Sequence, residues 1–311
     1  MAMDVETYRS LGLERTAPSE VNGRSRKDFV VSLTHPGDAP YNPCADAYPD
    51  ASVPAGTVSK YADWRQSRVY PDTVREIFVY TPANIDRAQP ANLILFNDGA
   101  GYLHRGGPVR AALVLDSLHA KGEISPTVGV FVNPGRPATR HDETSARNST
   151  ADMEQRSREY DALTRDYGRF VLEDLLPFVE SAENLSLTKD PTRRTIGGIS
   201  SGGICAFTVA WHNPQEFGRV LSHCGSFVNI RGGHNFPYLI RSTPRKPIRV
   251  FLQSGANDAS YITGDWPIAN QAMANALDFA GYDYRFEFGT GGHSLRHAGA
   301  IFAESLRWLW R

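Results

Sequence analysis

The chain has 311 residues, 41% of them hydrophobic and 22% charged, which excludes a disordered or low-complexity protein and allows one large α/β domain. A formal net charge of −1 leaves no electrostatic footprint for nucleic acid or an anionic membrane surface, and no apolar run approaches the length of a membrane span. Cys44, Cys205 and Cys224 are too few for a disulfide framework, and Cys205 and Cys224 read as small buried residues rather than nucleophiles.

The N-terminus, MAMDVETYRSLG, lacks a basic-then-apolar leader, so the expectation is a cytoplasmic protein, or a periplasmic or secreted one whose leader has been removed. Residues 1–60 are rich in Pro, Asp and Tyr and have little periodicity. They read as an irregular arm laid on the domain that 61–311 would form, covering either the pocket or a partner subunit of a homo-oligomer. Val69 to Pro82 reads as a turn and an alternating strand, suited to an antiparallel edge hairpin. Asn92–Asn97 (NLILFN) and Thr127–Asn133 (TVGVFVN) are continuous apolar runs, as strands buried on both faces are. Helical spacing runs from Val109 to His119 and again from Tyr160 to Ser181. Between them lies a polar stretch from Arg136 to about Arg156, carrying Arg136, Arg140, Arg147 and Arg156.

Strands are expected at Gly218–Cys224, Ile248–Ser254 and Asp283–Phe288, with helices at Pro267–Ala280 and Leu295–Trp310. Such alternation specifies an α/β fold, a mostly parallel central sheet with helices on both faces. Its site lies beyond the carboxyl ends of the strands. There is no internal repeat and no linker, hence one domain.

At the centre is RTIGGISSGGICAF, Arg194–Phe207, holding Gly198-Ile199-Ser200-Ser201-Gly202, a G-x-S-x-G pattern between a strand and a helix. A serine hydroxyl becomes a nucleophile when it is exposed, oriented and next to a base. Gly198 and Gly202 would flank it because a Cβ there crowds the turn and because positive φ comes cheaply only to glycine. Downstream, the strand IRVFLQS ends in Gly255-Ala256-Asn257-Asp258, where a carboxylate can orient an imidazole; Asp265 is the reserve. DYRFEF is followed by Gly289-Thr290-Gly291-Gly292-His293, which puts a histidine last in chain order, where a general base belongs. Oxyanion donors would be the backbone N–H groups of Ser201 and of Ala100 in DGAGY, with Gly99 or Gly101 as alternatives. No metal or cofactor is expected, since the His293/His297 pair lacks the glutamate of a zinc motif and a third ligand. His223 reads as a loop or packing histidine. These placements together specify a serine hydrolase.

With these residues in hand, the chain resembles the "putative esterase" family of α/β-hydrolases from about Ser67 to Arg311. That family includes enterochelin esterases, family 1 feruloyl and acetylxylan esterases, S-formylglutathione hydrolases and mycolyltransferases. The segments that carry the resemblance are LILFNDGAGY, VFVNPG, GGISSGG, SGAND, FGTGGHS and SLRWLW. It implies the α/β-hydrolase fold, Ser200 as nucleophile, Asp258 as acid, His293 as base, and Ala100 and Ser201 as oxyanion donors. The DG before Ala100 is similar to the siderophore-esterase and mycolyltransferase branch. The resemblance further implies a small-molecule ester as the partner: a polar one such as a siderophore lactone or an acyl or feruloyl sugar ester. An acyltransferase with the same triad and a non-catalytic binding module are the alternatives. Arg136, Arg140, Arg147, Arg231, His234 and Trp266 are expected on the rim as substrate contacts, a solvated loop being the other reading of the arginines.

Overall fold

The computed structural model describes residues 35–138 and 150–311, together with two short antiparallel strands, β1 (Glu20–Val21) and β2 (Arg24–Ser25). The chain divides into two compact units, Met1–Ser32 and Leu33–Arg311. Arg140 and Arg147 lie outside the described residues.

The larger unit opens with β3 (Thr57–Trp64), β4 (Thr73–Thr81), β5 (Asn92–Asn97), α1 (Gly99–Leu103) and α2 (Ala111–Ala120). After β6 (Thr127–Val132) and β7 (Arg136–Pro137) come α3 (Thr150–Tyr160), α4 (Asp166–Arg169), a π-helical segment (Phe170–Leu175) and α5 (Leu176–Glu183). Next are β8 (Arg194–Ile199), α6 (Ser201–His212), β9 (Arg219–His223), α7 (Phe236–Ser242) and β10 (Arg249–Asn257). The chain closes with a hairpin of β11 (Ser260–Tyr261) and β12 (Gly264–Asp265), then α8 (Trp266–Phe279), β13 (Asp283–Gly292), α9 (Leu295–Ala300) and α10 (Phe302–Trp310).

Across the sheet the order is β13-β10-β9-β8-β5-β6-β4-β3, with β7 paired to β4. From β13 to β6 every pairing is parallel, whereas β4 runs antiparallel to both of its main neighbours. This is the α/β-hydrolase arrangement. It follows from the apolar runs: every residue of β5 and β6 is buried, so helices must cover both faces. Alternate side chains divide the core. Leu93, Leu95 and Ile196 pack with Phe170 and Phe207 on one face. Ile94, Phe96 and Phe131 pack with Leu115 and Leu306 on the other. Because β5 is followed by β6 on one side and β8 on the other, a crevice opens at the carboxyl ends of β5 and β8, where an open α/β sheet binds its ligand.

The antiparallel edge hairpin expected near Val69–Pro82 is present, with the polar run TVSKYADW supplying its outer strand, β3, which spans residue 60. Two expectations change. The polar stretch after Arg136 includes a helix, α3, whose charged composition hid its periodicity. The helix expected from Leu295 to Trp310 is interrupted at Ile301. Among the described residues, no helix is long and apolar enough to cross a membrane.

Candidate active site

Ser200 joins β8 to α6 with φ 60° and ψ −124°, a conformation sparsely populated by residues with a side chain. The turn is held from all sides. The Ser200 N–H donates to the His223 carbonyl (2.9 Å), and the Ser200 carbonyl accepts from Gly203, Ile204 and Ser226 N–H. A Cβ on Gly198 would lie 2.5 Å from the Gly202 oxygen, and one on Gly202 would lie 3.0 Å from Asp98 Oδ2. The flanking glycines are thus required by close approach. The positive φ expected of them falls on Ser200 itself.

The Ser200 hydroxyl lies 2.9 Å from His293 Nε2, and His293 Nδ1 lies 2.5 Å from Asp258 Oδ1. Asp258 accepts further from Ser254 Oγ (2.6 Å, at Oδ2) and from the Ala259 N–H (2.7 Å, at Oδ1), and its side chain is fully buried. A carboxylate surrounded by donors takes a proton-bearing Nδ1, which leaves Nε2 as the acceptor facing Ser200. Asp265 takes no part in this chain of bonds; it caps α8, accepting from the Ile268 N–H at 2.9 Å.

Trp266 is buried, with its ring edge-on to His293 at 5.7 Å. Its indole N–H donates to Ser226 Oγ (3.2 Å), which lies 3.2 Å from Ser200 Oγ. Expected on the rim as a substrate contact, it is buried and touches Ser226 and the His293 ring.

On the β5 side, Asp98 sits in the left-handed region (φ 53°) at the head of α1. Arg156 of α3 grips its carboxylate with two bonds, 3.0 and 2.7 Å, and stacks over the Tyr160 ring. The Tyr160 hydroxyl accepts from the Asp98 N–H at 3.3 Å, and Asn97 Nδ2 donates to the Gly202 carbonyl at 3.0 Å. The Ala100 N–H donates to Asn133 Oδ1 (3.2 Å), whose Nδ2 donates to Glu76 Oε2. The Ser201 N–H heads α6, where the helix supplies it no acceptor. Beneath it Asp161 is buried, which raises its carboxyl pKa, opposed by the hydroxyls of Ser201 and Ser157.

Arg231 donates to Ser157 Oγ (3.1 Å), tying the loop after β9 to α3. His234 is exposed in a short 3-10 turn, and Arg136 is half-buried in β7. Among the described residues, ligand atoms of Cys224, Asp258 and His293 lie close enough to share a metal ion. A cation there would have to break the Asp258–His293 bond and deprotonate a thiol whose pKa burial and Asp258 raise. His297 faces elsewhere, stacked on Tyr41 at 4.1 Å with Nδ1 3.1 Å from Gln253 Nε2. Sequence reasoning passed over Asn97, Ser226 and the role of Arg156. Asn97 directly precedes the DG, which was its one signal, whereas Ser226 and Arg156 are brought to the motifs only in space.

A model of the family described as "Putative esterase" matches residues 69–309. The chain is 27% identical over 262 residues to the iron(III) enterobactin esterase of Dickeya dadantii, covering 79% of this chain and 54% of that relative. With the iron(III) enterobactin esterase of Escherichia coli O6:H1 it shares 26% identity over 277 residues, 86% of this chain and 60% of the other. The chain thus spans little more than half the length of these relatives. Among solved structures, the enterobactin esterase of Shigella flexneri superposes with a TM-score of 0.64 at 21% identity, over 83% of this chain and 61% of that one. A ferulic acid esterase of Anaeromyces mucronatus gives 0.63 at 15% identity, over 86% and 95%. At these identities the two structures speak for the fold.

Proposed function

The chain belongs to the esterase family, and from that premise we propose that it is a serine carboxylester hydrolase working through an acyl-serine intermediate. One observation carries the reading: the unbroken hydrogen-bond chain Ser200–His293–Asp258, built on a strained strand-to-helix turn. Ser200 Oγ attacks the ester carbonyl carbon as its proton passes to His293 Nε2. Asp258 fixes the ring and offsets the imidazolium charge. The oxyanion takes hydrogen bonds from the Ser201 N–H and from the Ala100 N–H, which exchanges its Asn133 acceptor for the developing charge. The tetrahedral intermediate collapses, the C–O bond to the alcohol breaks, and His293 returns the proton to the leaving oxygen. Water then repeats the sequence on the acyl-enzyme, releasing the acid and restoring Ser200.

The substrate is a polar ester, either a siderophore lactone or an acyl or feruloyl ester of a sugar. Supporting this are the Arg156–Asp98 pair and Arg231 beside the crevice, and relatives that are enterobactin and ferulic acid esterases by name. The test is p-nitrophenyl acetate hydrolysis by wild type and Ser200→Ala, then a panel of feruloyl, acetyl-sugar and catecholate-lactone esters with and without an alcohol acceptor. Loss of turnover in the folded variant supports the serine mechanism, and the panel's ranking gives the substrate class. Turnover retained in Ser200→Ala overturns the mechanism; product formed on the acceptor rather than on water overturns hydrolysis.

A further inference from the structure

The glycine-rich loop that presents His293 is held by a segment that precedes the family match. The short 3-10 turn Pro36–Asp38 places Asp38 against it with 1% of its surface exposed. Asp38 Oδ1 accepts from the Gly292 N–H at 2.9 Å, and Asp38 Oδ2 accepts from Ser294 Oγ at 2.8 Å. One carboxylate therefore bridges the two residues on either side of His293. Around it, Tyr41 Oη accepts from the Thr290 N–H (3.0 Å), Thr290 Oγ1 donates to the Gly37 carbonyl (2.9 Å), and Asn257 Nδ2 donates to the Thr290 carbonyl (2.8 Å). The loop's glycines fit this contact. A Cβ on Gly291 would lie 3.2 Å from Asp38 Oδ1, and one on Gly292 would lie 3.0 Å from the His35 Cβ.

We propose that Asp38 is a positioning residue for the general base, and that Pro36–Tyr41 is a working part of the active site. This rests on His293 being that base. The Gly292 N–H can only donate, so one oxygen of residue 38 must accept it; Ser294 Oγ accepts from the Arg296 N–H and donates to the other oxygen, a bond that a carboxylate receives as it stands and an amide would have to reverse. With Gly292 and Ser294 fixed, the His293 backbone has little freedom, and Nε2 stays at hydrogen-bond distance from Ser200. Releasing either side lets the imidazole drift, and an ångström of misplacement costs on the order of 100-fold in rate.

Asp38→Asn keeps the shape and exchanges one acceptor for a donor, which forces the Ser294 hydroxyl to turn its proton away; Asp38→Ala loses both acceptors. For each, kcat and KM are measured on a p-nitrophenyl ester, with active sites counted by fluorophosphonate titration and Ser200→Ala run alongside. The expected result is kcat per active site about 10-fold lower in Asp38→Asn and about 100-fold lower in Asp38→Ala, with KM within threefold. The low-field proton resonance of His293 Nδ1–H should broaden or shift in both. A purely structural role would lower the count of active sites and leave kcat per site unchanged, which overturns the proposal. Should Asp38→Ala not fold, Asp38→Asn and its proton spectrum decide alone, and a wild-type resonance with wild-type kcat is again the overturning result. If Ser200→Ala retains turnover, the serine mechanism itself fails; if only the Asp38 variants match wild type, positioning alone fails.

Discussion

Arg75 and Glu159 form an ion pair whose side chains are fully buried. Arg75 Nη1 and Nη2 lie 2.9 and 3.0 Å from Glu159 Oε2 and Oε1, and the guanidinium stacks on Phe170 at 4.1 Å. The pair fastens α3 to β4, and α3 carries Arg156 and Tyr160, with Asp161 just past its end, to the site. In Arg75→Met the aliphatic packing is largely kept while Glu159 loses its counter-charge. It retains the Gly135 N–H at 3.2 Å and Gln155 Nε2 at 3.0 Å, two neutral donors for a buried charge. Breaking such a pair from one side costs about 3–5 kcal/mol.

Urea unfolding of wild type, of Arg75→Met and of the double variant Arg75→Met with Glu159→Gln at pH 7 measures the difference. We expect a loss of about 3–5 kcal/mol in Arg75→Met, because an uncompensated carboxylate is left where water does not reach it. Removing the second charge in the double variant should recover most of the deficit. A loss below about 1 kcal/mol in Arg75→Met, or a double variant no more stable than the single one, refutes the reasoning.

Asp258→Asn should lower kcat by about 10,000-fold through loss of the correct His293 tautomer. Asp265→Ala should lose about 1 kcal/mol of stability as a helix cap and leave kcat/KM unchanged; the reverse pattern in the two assays would move the acid to Asp265. Arg156→Lys cannot reproduce the two-pronged grip on Asp98, so kcat should fall about tenfold or more at constant KM, and a change confined to KM would make Arg156 a substrate contact instead. Burial holds the His223 pKa down to about 3, with the charge of His297 adding to the effect. The unfolded chain takes up a proton near pH 6.5 and the folded one does not, so stability should fall as pH drops from 6.5 toward 3. His223→Gln should flatten that slope in urea titrations at pH 4, 5, 6 and 7, and an unchanged slope would assign the titration to another group.

How much of this was legible in the sequence depends on how local each feature is. The strands β5 and β6 announced themselves because burial on both faces leaves polar residues only at their ends. The G-x-S-x-G turn was legible for a similar reason, since the demand on Gly198 falls within the turn, although the demand on Gly202 comes from Asn97 and Asp98. Even there, φ was assigned to the glycines, when sterics put Gly198 against Gly202 and the strain on Ser200. The outer strand β3 was missed because its exposed face reads as a polar loop, and α3 because TADMEQRSREY offers few apolar residues to reveal its period.

The two walls of the crevice explain the remaining gap. Ser200 takes its backbone conformation in its own turn, which His223 and Ser226 then brace. His293 and the Asp98–Ala100 loop each take their final position from a segment far away in the chain. Asp38 reaches the His293 loop across more than 250 positions, through two hydrogen bonds to a carboxylate, with no repeat or apolar pattern to mark it. Arg156 reaches Asp98 across 58. Both are polar contacts that lie at least partly out of water, where geometry decides whether they stabilise the site or disrupt it. The proposed nucleophile could be read as a motif because a motif is local. The segments that hold the loops of the proposed base and oxyanion donors do so through tertiary contacts, and only the folded chain brings those together.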